Sequence, residues 1–181
     1  MTGKEIFEGL KPELGDALLG IEGDGLDAVL SVRQASLRAL LEKLKSAGFN
    51  MLVDLTCVDY SKFDGKPARF RLTYRLLSLD AEAGLSLGRV ALACWVEDLK
   101  GPPSARDLWP CADWLEREVW DMFGVGFSDR PDMKRILMYE EFSGHPLRKD
   151  YPIAQRQPLI GPTDEKPRER WLESDLRPRL A

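Results

Sequence analysis

The chain has 181 residues and a formal net charge of −4, with 44% hydrophobic and 31% charged residues. A domain of this length buries roughly 70% of its unfolded surface, so a core can form without disulfides or a structural metal. The acidic net charge gives no overall attraction to nucleic acid or anionic lipid. No apolar stretch approaches the roughly 18 residues that a bilayer crossing needs, so we expect a soluble domain that meets a membrane only through partners.

The first quarter of the chain predicts two helices and one strand. Residues 4–19 carry apolar side chains at helical spacing and predict an amphipathic helix, and "LDAVLSV" (26–32) predicts the first strand. "RQASLRALLEKLKSAG" (33–48) predicts the second helix, because its leucines share one face and Gly48 follows as a stop.

Three further strands are predicted at "MLVDLTCVDY" (51–60), "RFRLTYRLL" (69–77) and "LSLGRVALACWVE" (85–97). The helix between the first two strands implies that they form a parallel pair, and the short turns that follow imply antiparallel neighbours. The sequence therefore predicts an α+β fold: a small mixed β-sheet of about four strands with helices packed on one face.

The three cysteines, Cys57, Cys94 and Cys111, are far apart and odd in number. With no CxxC pair and no Cys/His cluster, neither a disulfide framework nor a zinc or iron–sulfur site is indicated. Cys57 and Cys94 lie in strand-like apolar runs, where a buried, inert thiol is expected.

A third helix is predicted within "PPSARDLWPCADWLEREVWDMFG", ending at Gly124. Its apolar face is predicted to contain five residues, Trp114, Leu115, Val119, Met122 and Phe123, and the acids Glu116 and Asp121 fall on other faces. Glu116 and Glu118 point about 200° apart on a helix, so they cannot share a metal or a proton. A charged shoulder that forms ion pairs is the favoured interpretation.

Beyond Gly124 the sequence loses its periodicity. Residues 1–124 are predicted to form the α/β domain, residues 125–152 a docking segment, and residues 153–181 an extended tail. Residues 146–181 contain six of the twelve prolines and few large apolar residues, which predicts a Pro-rich C-terminal arm without a core of its own.

"GHPLRKDYP" (144–152) contains the only histidine. Gly144 and Pro146 restrict the loop around His145, which suits structural hydrogen bonding as well as acid–base catalysis. No serine elbow, reactive-cysteine context or phosphate loop accompanies it, so a catalytic role is the less favoured alternative. The nearby cations are balanced by acids, which favours a complementary protein surface over nucleic acid.

The run 114–152, "WLEREVWDMFGVGFSDRPDMKRILMYEEFSGHPLRKDYP", closely resembles the signature of the thirty-kilodalton subunit family of respiratory complex I, the NADH:quinone oxidoreductase. "LVDLTCVDY" and "RFRLTYRLLS" agree more loosely upstream. The chain departs from the family at Asp129-Arg130, where Gly-His is usual, and at Trp120, where a smaller aromatic residue is common.

The resemblance implies a cofactor-free core subunit of the peripheral arm of a proton-translocating enzyme. FMN, iron–sulfur clusters and quinone would belong to its partners, chiefly the large quinone-site subunit and the iron–sulfur subunits. It implies a peripheral location at the cytoplasmic face of the bacterial inner membrane, no catalytic residues in this chain, and no nucleic-acid partner. The residues expected at the partner interface are Glu116, Arg117, Asp121, Arg135, His145, Arg148, Lys149, Asp150 and Tyr151.

Two alternatives remain open. The chain could be the equivalent subunit of a related membrane-bound hydrogenase or of a quinone oxidoreductase with another electron donor. From a different class, it could be a stand-alone hydrolase that uses His145 with Asp150 or Glu141.

Overall fold

A computed structural model describes residues 3–23, 28–80, 82–97, 100–154 and 157. Its elements in chain order are α1 (Gly3–Leu14), a 3₁₀ turn (Gly15–Ala17), β1 (Leu18–Glu22), β2 (Val29–Val32), α2 (Gln34–Ser46), β3 (Met51–Asp59), β4 (Phe70–Asp80), β5 (Leu85–Val96) and α3 (Ala112–Phe123). The predicted α+β class is confirmed. The predicted docking segment has neither helix nor strand, and residues 158–181 of the predicted tail lie outside the described part.

The sheet has five strands in the order β1-β2-β5-β4-β3, one more than predicted. The additional strand is β1, whose residues 18 and 19 were assigned to the first helix. That helix ends at Leu14, where Pro12 and the positive φ of Gly15 interrupt helical hydrogen bonding. Leu18–Glu22 then pairs antiparallel with β2.

The predicted parallel pairing of the strands flanking α2 is wrong. β2 pairs in parallel with β5, while β3 lies at the far edge of the sheet. β3 and β4, and likewise β4 and β5, pair antiparallel as the short turns predicted, so these two hairpins fill the space between β2 and β3. The crossover through α2 therefore spans the sheet instead of joining neighbours.

The core is one cluster on one side of the sheet. β4 contributes Phe70, Leu72, Tyr74 and Leu76, all buried as their alternation predicted. α2 contributes Leu37, Leu40, Leu41 and Leu44, whose burial stabilises the fold by about 1.5–3 kcal/mol each relative to exposure. Cys57 and Cys94 are also buried, and burial raises the pKa of each thiol to about 12. None of the described helices is long and apolar enough to span a membrane.

α3 packs on β3, but its inward face differs from the predicted one. Glu116 and Asp121 are fully buried, whereas Trp114 is 65% exposed. Glu116 and Asp121 form ion pairs as predicted, with Arg130 and Arg135, but they are buried instead of lying on a shoulder of the helix, because these partners come from distant parts of the chain. Glu118 is exposed, on the side of the helix away from Glu116, as predicted.

Candidate functional site

The wrapping segment, residues 125–152, lies against α3 and the end of the sheet where β3 finishes and β4 begins. A chain without regular structure must find other partners for its buried polar groups. Three buried carboxylates provide them: Glu116 and Asp121 on α3, and Asp59 at the end of β3.

Glu116 joins α3 to both the loop before it and the segment after it. Its carboxylate accepts bonds from Ser104 Oγ (2.6 Å), from the Ala105 N–H (2.7 Å) and from Arg130 Nη1 (3.2 Å). Arg130 has a side chain that is itself 2% exposed, and it also contacts Asp113 at 2.7 Å. Burial raises the pKa of Glu116, and the three bonds act in the opposite direction.

Asp121 organises the middle of the wrapping segment. One carboxylate oxygen accepts the N–H groups of Ile136, Leu137 and Met138 at 2.8–3.0 Å, and the other accepts Arg135 Nη1 at 2.6 Å. Burial alone would raise the pKa of Asp121, but these bonds outweigh it and lower the pKa below its ordinary value.

Arg135 links Asp121 to the start of "GHPLRKDYP" (144–152). Its Nη2 donates to the carbonyl oxygens of Phe142 (2.6 Å) and Gly144 (3.0 Å). The guanidinium also lies between two aromatic rings, 5.7 Å from the centroid of Trp120 and 5.6 Å from that of Phe142. Trp120 therefore contributes a packing surface for both Arg135 and the adjacent histidine.

His145 is half-buried beside α3. Its Nδ1 lies 3.0 Å from the Asp121 carbonyl oxygen, a contact that requires a proton on Nδ1, and its ring meets Trp120 edge-on at 6.0 Å. Burial lowers the pKa of His145, aided by the nearby charges of Arg148 and Arg135. The imidazole Nδ1–H thus donates to the end of α3.

Gly124 allows this close approach. It ends α3 with φ +75°, and a Cβ at this position would lie 2.6 Å from the His145 ring and would overlap Arg148 Nη2. Arg148 Nε donates to the Phe123 carbonyl oxygen, and its guanidinium lies 5.6 Å from the Phe70 ring centroid. The end of α3 is thus covered by the side chains of His145 and Arg148, both in "GHPLRKDYP".

Asp59 fixes the end of the segment to the sheet. It accepts the Lys149 N–H (2.9 Å), the Ser61 N–H (2.8 Å) and Arg69 Nη2 (2.9 Å). Arg69 also pairs with Asp150 at 2.9 Å. Burial opposes ionisation of Asp59, but these partners lower its pKa to about 2.

The structure brings most of the predicted interface residues together, although many turn inward. The five residues of this set whose contacts are given above all bind this chain's own atoms: Glu116, Asp121, Arg135, His145 and Arg148. Arg117 donates to the carbonyl oxygens of Lys134 and Arg135, and Tyr151 stacks on Phe142 at 5.9 Å. Lys149 and Asp150 are exposed. Contact of these residues with a partner stays a prediction.

Sequence reasoning missed Asp59, Arg130 and the approach of Gly101 to Gly126. Asp59 had a signal, because it continues the inward phase of Leu55 and Cys57 along β3. Arg130 was noted only as a departure from the family pattern, and its role had no signal, since its partners Asp113 and Glu116 are 14 or more residues away. A Cβ on Gly101 would overlap the Gly126 carbonyl oxygen, so the backbone at Gly126 can approach position 101 only because Gly101 has no side chain.

The described residues contain no group of three or more histidine, cysteine or acidic side chains that could hold a metal ion. The buried carboxylates accept hydrogen bonds from N–H, guanidinium and hydroxyl donors of this chain. The arrangement is a polar network that fixes a chain segment.

Comparison with known proteins shows which class of protein has this fold: a subunit family of respiratory NADH dehydrogenases. Residues 30–157 match the family described as "Respiratory-chain NADH dehydrogenase, 30 Kd subunit". The chain belongs to this family, as the signature at 114–152 predicted.

Relatives of the chain include an NADH-quinone oxidoreductase subunit of Trichlorobacter lovleyi, 40% identical over 85% of this chain and 93% of the relative. Another is NADH-quinone oxidoreductase subunit 5 of Thermus thermophilus, 41% identical over 64% of this chain. That alignment spans 57% of the Thermus protein.

Two solved structures share the fold. A trypsin-resistant fragment of Nqo5 superposes with a TM-score of 0.61 and 30% identity, covering 71% of this chain and 97% of the fragment. A chain of a membrane-bound sulfane sulfur reductase, an archaeal respiratory membrane complex, superposes with a TM-score of 0.66 and 25% identity, covering 84% of this chain and 86% of that one.

Proposed function

We propose that this chain is a structural subunit of the peripheral arm of a proton-translocating NADH:quinone oxidoreductase. It holds the quinone-reducing module together through its C-terminal segment and carries no redox group of its own. FMN, iron–sulfur clusters and quinone are bound by its partners, and it meets the membrane only through them, on the cytoplasmic face of the bacterial inner membrane.

One observation carries the proposal: the wrapping segment is fixed to the domain by buried charges, although it has no helix or strand. Each hydrogen bond to a charged group contributes about 1.5–3 kcal/mol, so Asp59, Glu116 and Asp121 together impose one conformation on the segment. A segment held this firmly presents its outer side in a defined geometry, which a docking surface requires. The thiols of Cys57 and Cys94, with pKa values of about 12, are poor candidates for thiolate ligands.

The proposal is tested by purifying the tagged full chain from native membranes. We expect flavin- and iron–sulfur-containing subunits with NADH oxidation activity to co-purify. The chain alone, expressed separately, should contain neither flavin nor iron in stoichiometric amount. Recovery of the chain without any respiratory subunit, or a cofactor in the isolated chain, would contradict the proposal.

Arg148→Ala gives a sharper version of this test. It removes the donor to the Phe123 carbonyl oxygen and weakens the attachment of residues 144–152 to α3, so we expect less of the complex to assemble; deleting residues 146–181 should abolish assembly. Arg106→Ala is the matched control, because Arg106 is exposed and its contact to Asp132 is 3.6 Å long. A fully active complex containing the deletion variant would show that the segment has no role in assembly.

A second candidate is favoured by the similarity to the archaeal sulfane sulfur reductase complex. In that case the chain occupies the same structural position in a membrane-bound complex whose electron donor is not NADH, such as a membrane-bound hydrogenase. The co-purifying chains distinguish the two candidates: an NADH-oxidising flavoprotein supports the first, and its replacement by another redox module supports the second.

No observation favours the stand-alone hydrolase. His145 Nδ1 faces a backbone carbonyl oxygen, and Asp150 is paired with Arg69. His145→Ala should therefore change stability or assembly, and the chain alone should hydrolyse no ester or peptide substrate.

A further inference from the structure

Two segments diverge from the Asp59 carboxylate at one end of the sheet. The loop 61–67 begins at Ser61, whose N–H binds one oxygen, and the end of the wrapping segment is held at Lys149, whose N–H binds the other. Because both segments are bonded to the same buried carboxylate, their exposed side chains lie at the same end of the molecule.

The exposed charges at this end are mostly positive. Lys62, Lys66 and Lys149 are exposed, and none forms an ion pair within the part of the chain that the structure describes. Lys66 Nζ lies 5.6 Å from the centroid of the Tyr60 ring. Among the described residues of the loop and of 149–154, Asp64 is the one exposed acid that no arginine binds, since Asp150 pairs with Arg69.

Two large apolar side chains project from the same two segments. Phe63, in the loop, is 57% exposed, and Ile153, just after the signature, is fully exposed. Phe63 is held in this position, because its N–H donates to the Tyr60 carbonyl oxygen at 2.8 Å and the rings of the two residues lie 5.5 Å apart. We name this surface the lysine face; it comprises Lys62, Phe63, Lys66, Lys149 and Ile153.

We propose that the lysine face docks onto an acidic surface of a partner subunit, which receives Phe63 and Ile153 in an apolar recess. The charge balance argues for this partner, because three cations against one acid stand out on a chain whose net charge is −4. An apolar centre with charged residues around it is also the usual composition of a protein–protein contact. The proposal rests on the proposed function, since it names the surface through which this protein binds its complex.

An anionic membrane is the other surface that such a face could meet. Membrane-binding clusters generally contain four to eight cations, each contributing about 1 kcal/mol. Three lysines interrupted by an aspartate fall below that number, so a protein surface is favoured.

The first test needs no mutation. A zero-length carbodiimide couples a lysine amine to a carboxylate only when the two groups are in contact. In the complex purified with the full chain, we expect links from Lys62, Lys66 or Lys149 to acidic residues of one co-purifying subunit. Lys45, near the opposite end of the sheet, is the control. An intact complex in which these three lysines form no link to a partner would overturn the proposal.

The second test reverses the charges. Lys62→Glu/Lys66→Glu/Lys149→Glu should lower the recovery of partner subunits at least tenfold, roughly what loss and reversal of several contacts produces. The matched control is Lys45→Glu/Arg75→Glu/Arg89→Glu, an equal change of charge away from the lysine face, which should leave recovery unchanged. Circular dichroism of both variants checks that they fold.

The outcomes separate this proposal from the proposed function. If the wild-type chain recovers no respiratory subunits, the proposed function fails. If it does recover them, and Arg148→Ala reduces this recovery while the lysine variant does not, only the proposal that the lysine face binds a partner is contradicted. If the full chain binds vesicles of anionic phospholipid and the lysine variant does not, the lysine face binds lipid, and the proposal of a protein partner is contradicted.

Discussion

Asp59, Glu116 and Asp121 each accept at least three hydrogen bonds, several of them from backbone N–H groups. A buried carboxylate with such donors replaces the hydrogen bonds that a helix or strand would have provided. This explains how residues 125–152 adopt a defined path without regular structure. It also explains why residues expected to contact a partner are turned toward this chain.

Gly124→Ala tests the close approach of His145 and Arg148 to the end of α3. The left-handed backbone penalises alanine by about 1 kcal/mol, and the overlap of Cβ with the His145 ring adds to this. Gly65→Ala is a matched control, because Gly65 has φ +71° but nothing within 4 Å of its Cβ position. In urea denaturation of the full chain, we expect Gly124→Ala to lose about 2–4 kcal/mol and Gly65→Ala about 1. Equal losses would mean that the contact with His145 contributes nothing.

At the scale of elements, α3 is the centre to which separate parts of the chain are attached. Glu116 binds the preceding loop and Arg130, Asp121 binds residues 135–138, and the carbonyl oxygens at the end of the helix bind His145 and Arg148. The helix therefore contributes hydrogen-bonding groups as well as an apolar face. The carbonyl groups of its last turn, which a helix leaves without intrahelical partners, accept hydrogen bonds from residues 145–148 of the wrapping segment.

Replacing Glu116 and Arg130 separately and together tests whether the pair acts as a unit. Glu116→Leu removes the buried partner of the Arg130 guanidinium, which keeps Asp113, and the acceptor of the Ser104 hydroxyl and the Ala105 N–H, and we expect it to lower the free energy of unfolding by about 3–5 kcal/mol. Adding Arg130→Met should restore part of that loss, because the buried charge that Asp113 alone would have to balance is removed. Urea denaturation of the four chains measures the coupling; strictly additive losses would show that the pair is not coupled.

For the whole molecule, buried carboxylates imply a defined loss of stability in acid. The pKa of Asp59 is about 2 in the folded chain and near 3.8 when unfolded, so its contribution is fully present above pH 4 and is lost as the pH falls toward 2. The difference corresponds to about 2 kcal/mol. Asp121, whose pKa is also lowered, acts in the same direction, and Glu116, whose pKa is raised, acts in the opposite one.

Asp59→Asn should therefore make the free energy of unfolding depend less on pH in the acid range. Between pH 4.5 and pH 2 we expect the variant to lose about 2 kcal/mol less stability than the wild type, although it is less stable at neutral pH. Asp64→Asn, at an exposed position of the adjacent loop, is the control and should follow the wild type. Thermal unfolding across this pH range measures both. If Asp59→Asn lost stability with falling pH as steeply as the wild type, groups other than Asp59 would cause the acid sensitivity.

The sequence by itself determined α2, α3, the three strands β3 to β5 and the family, because side-chain periodicity and the signature at 114–152 are local patterns. It also determined the inward face of β4, where Phe70, Leu72, Tyr74 and Leu76 alternate with polar residues. Only the tertiary structure decided that β2 lies beside β5, that Leu18–Glu22 forms a fifth strand, and that Glu116 and Asp121 are buried. These features depend on partners far along the chain, such as Arg130 for Glu116 and Arg135 for Asp121. The burial of a charge follows from which distant donors meet it, and no local spacing contains that information.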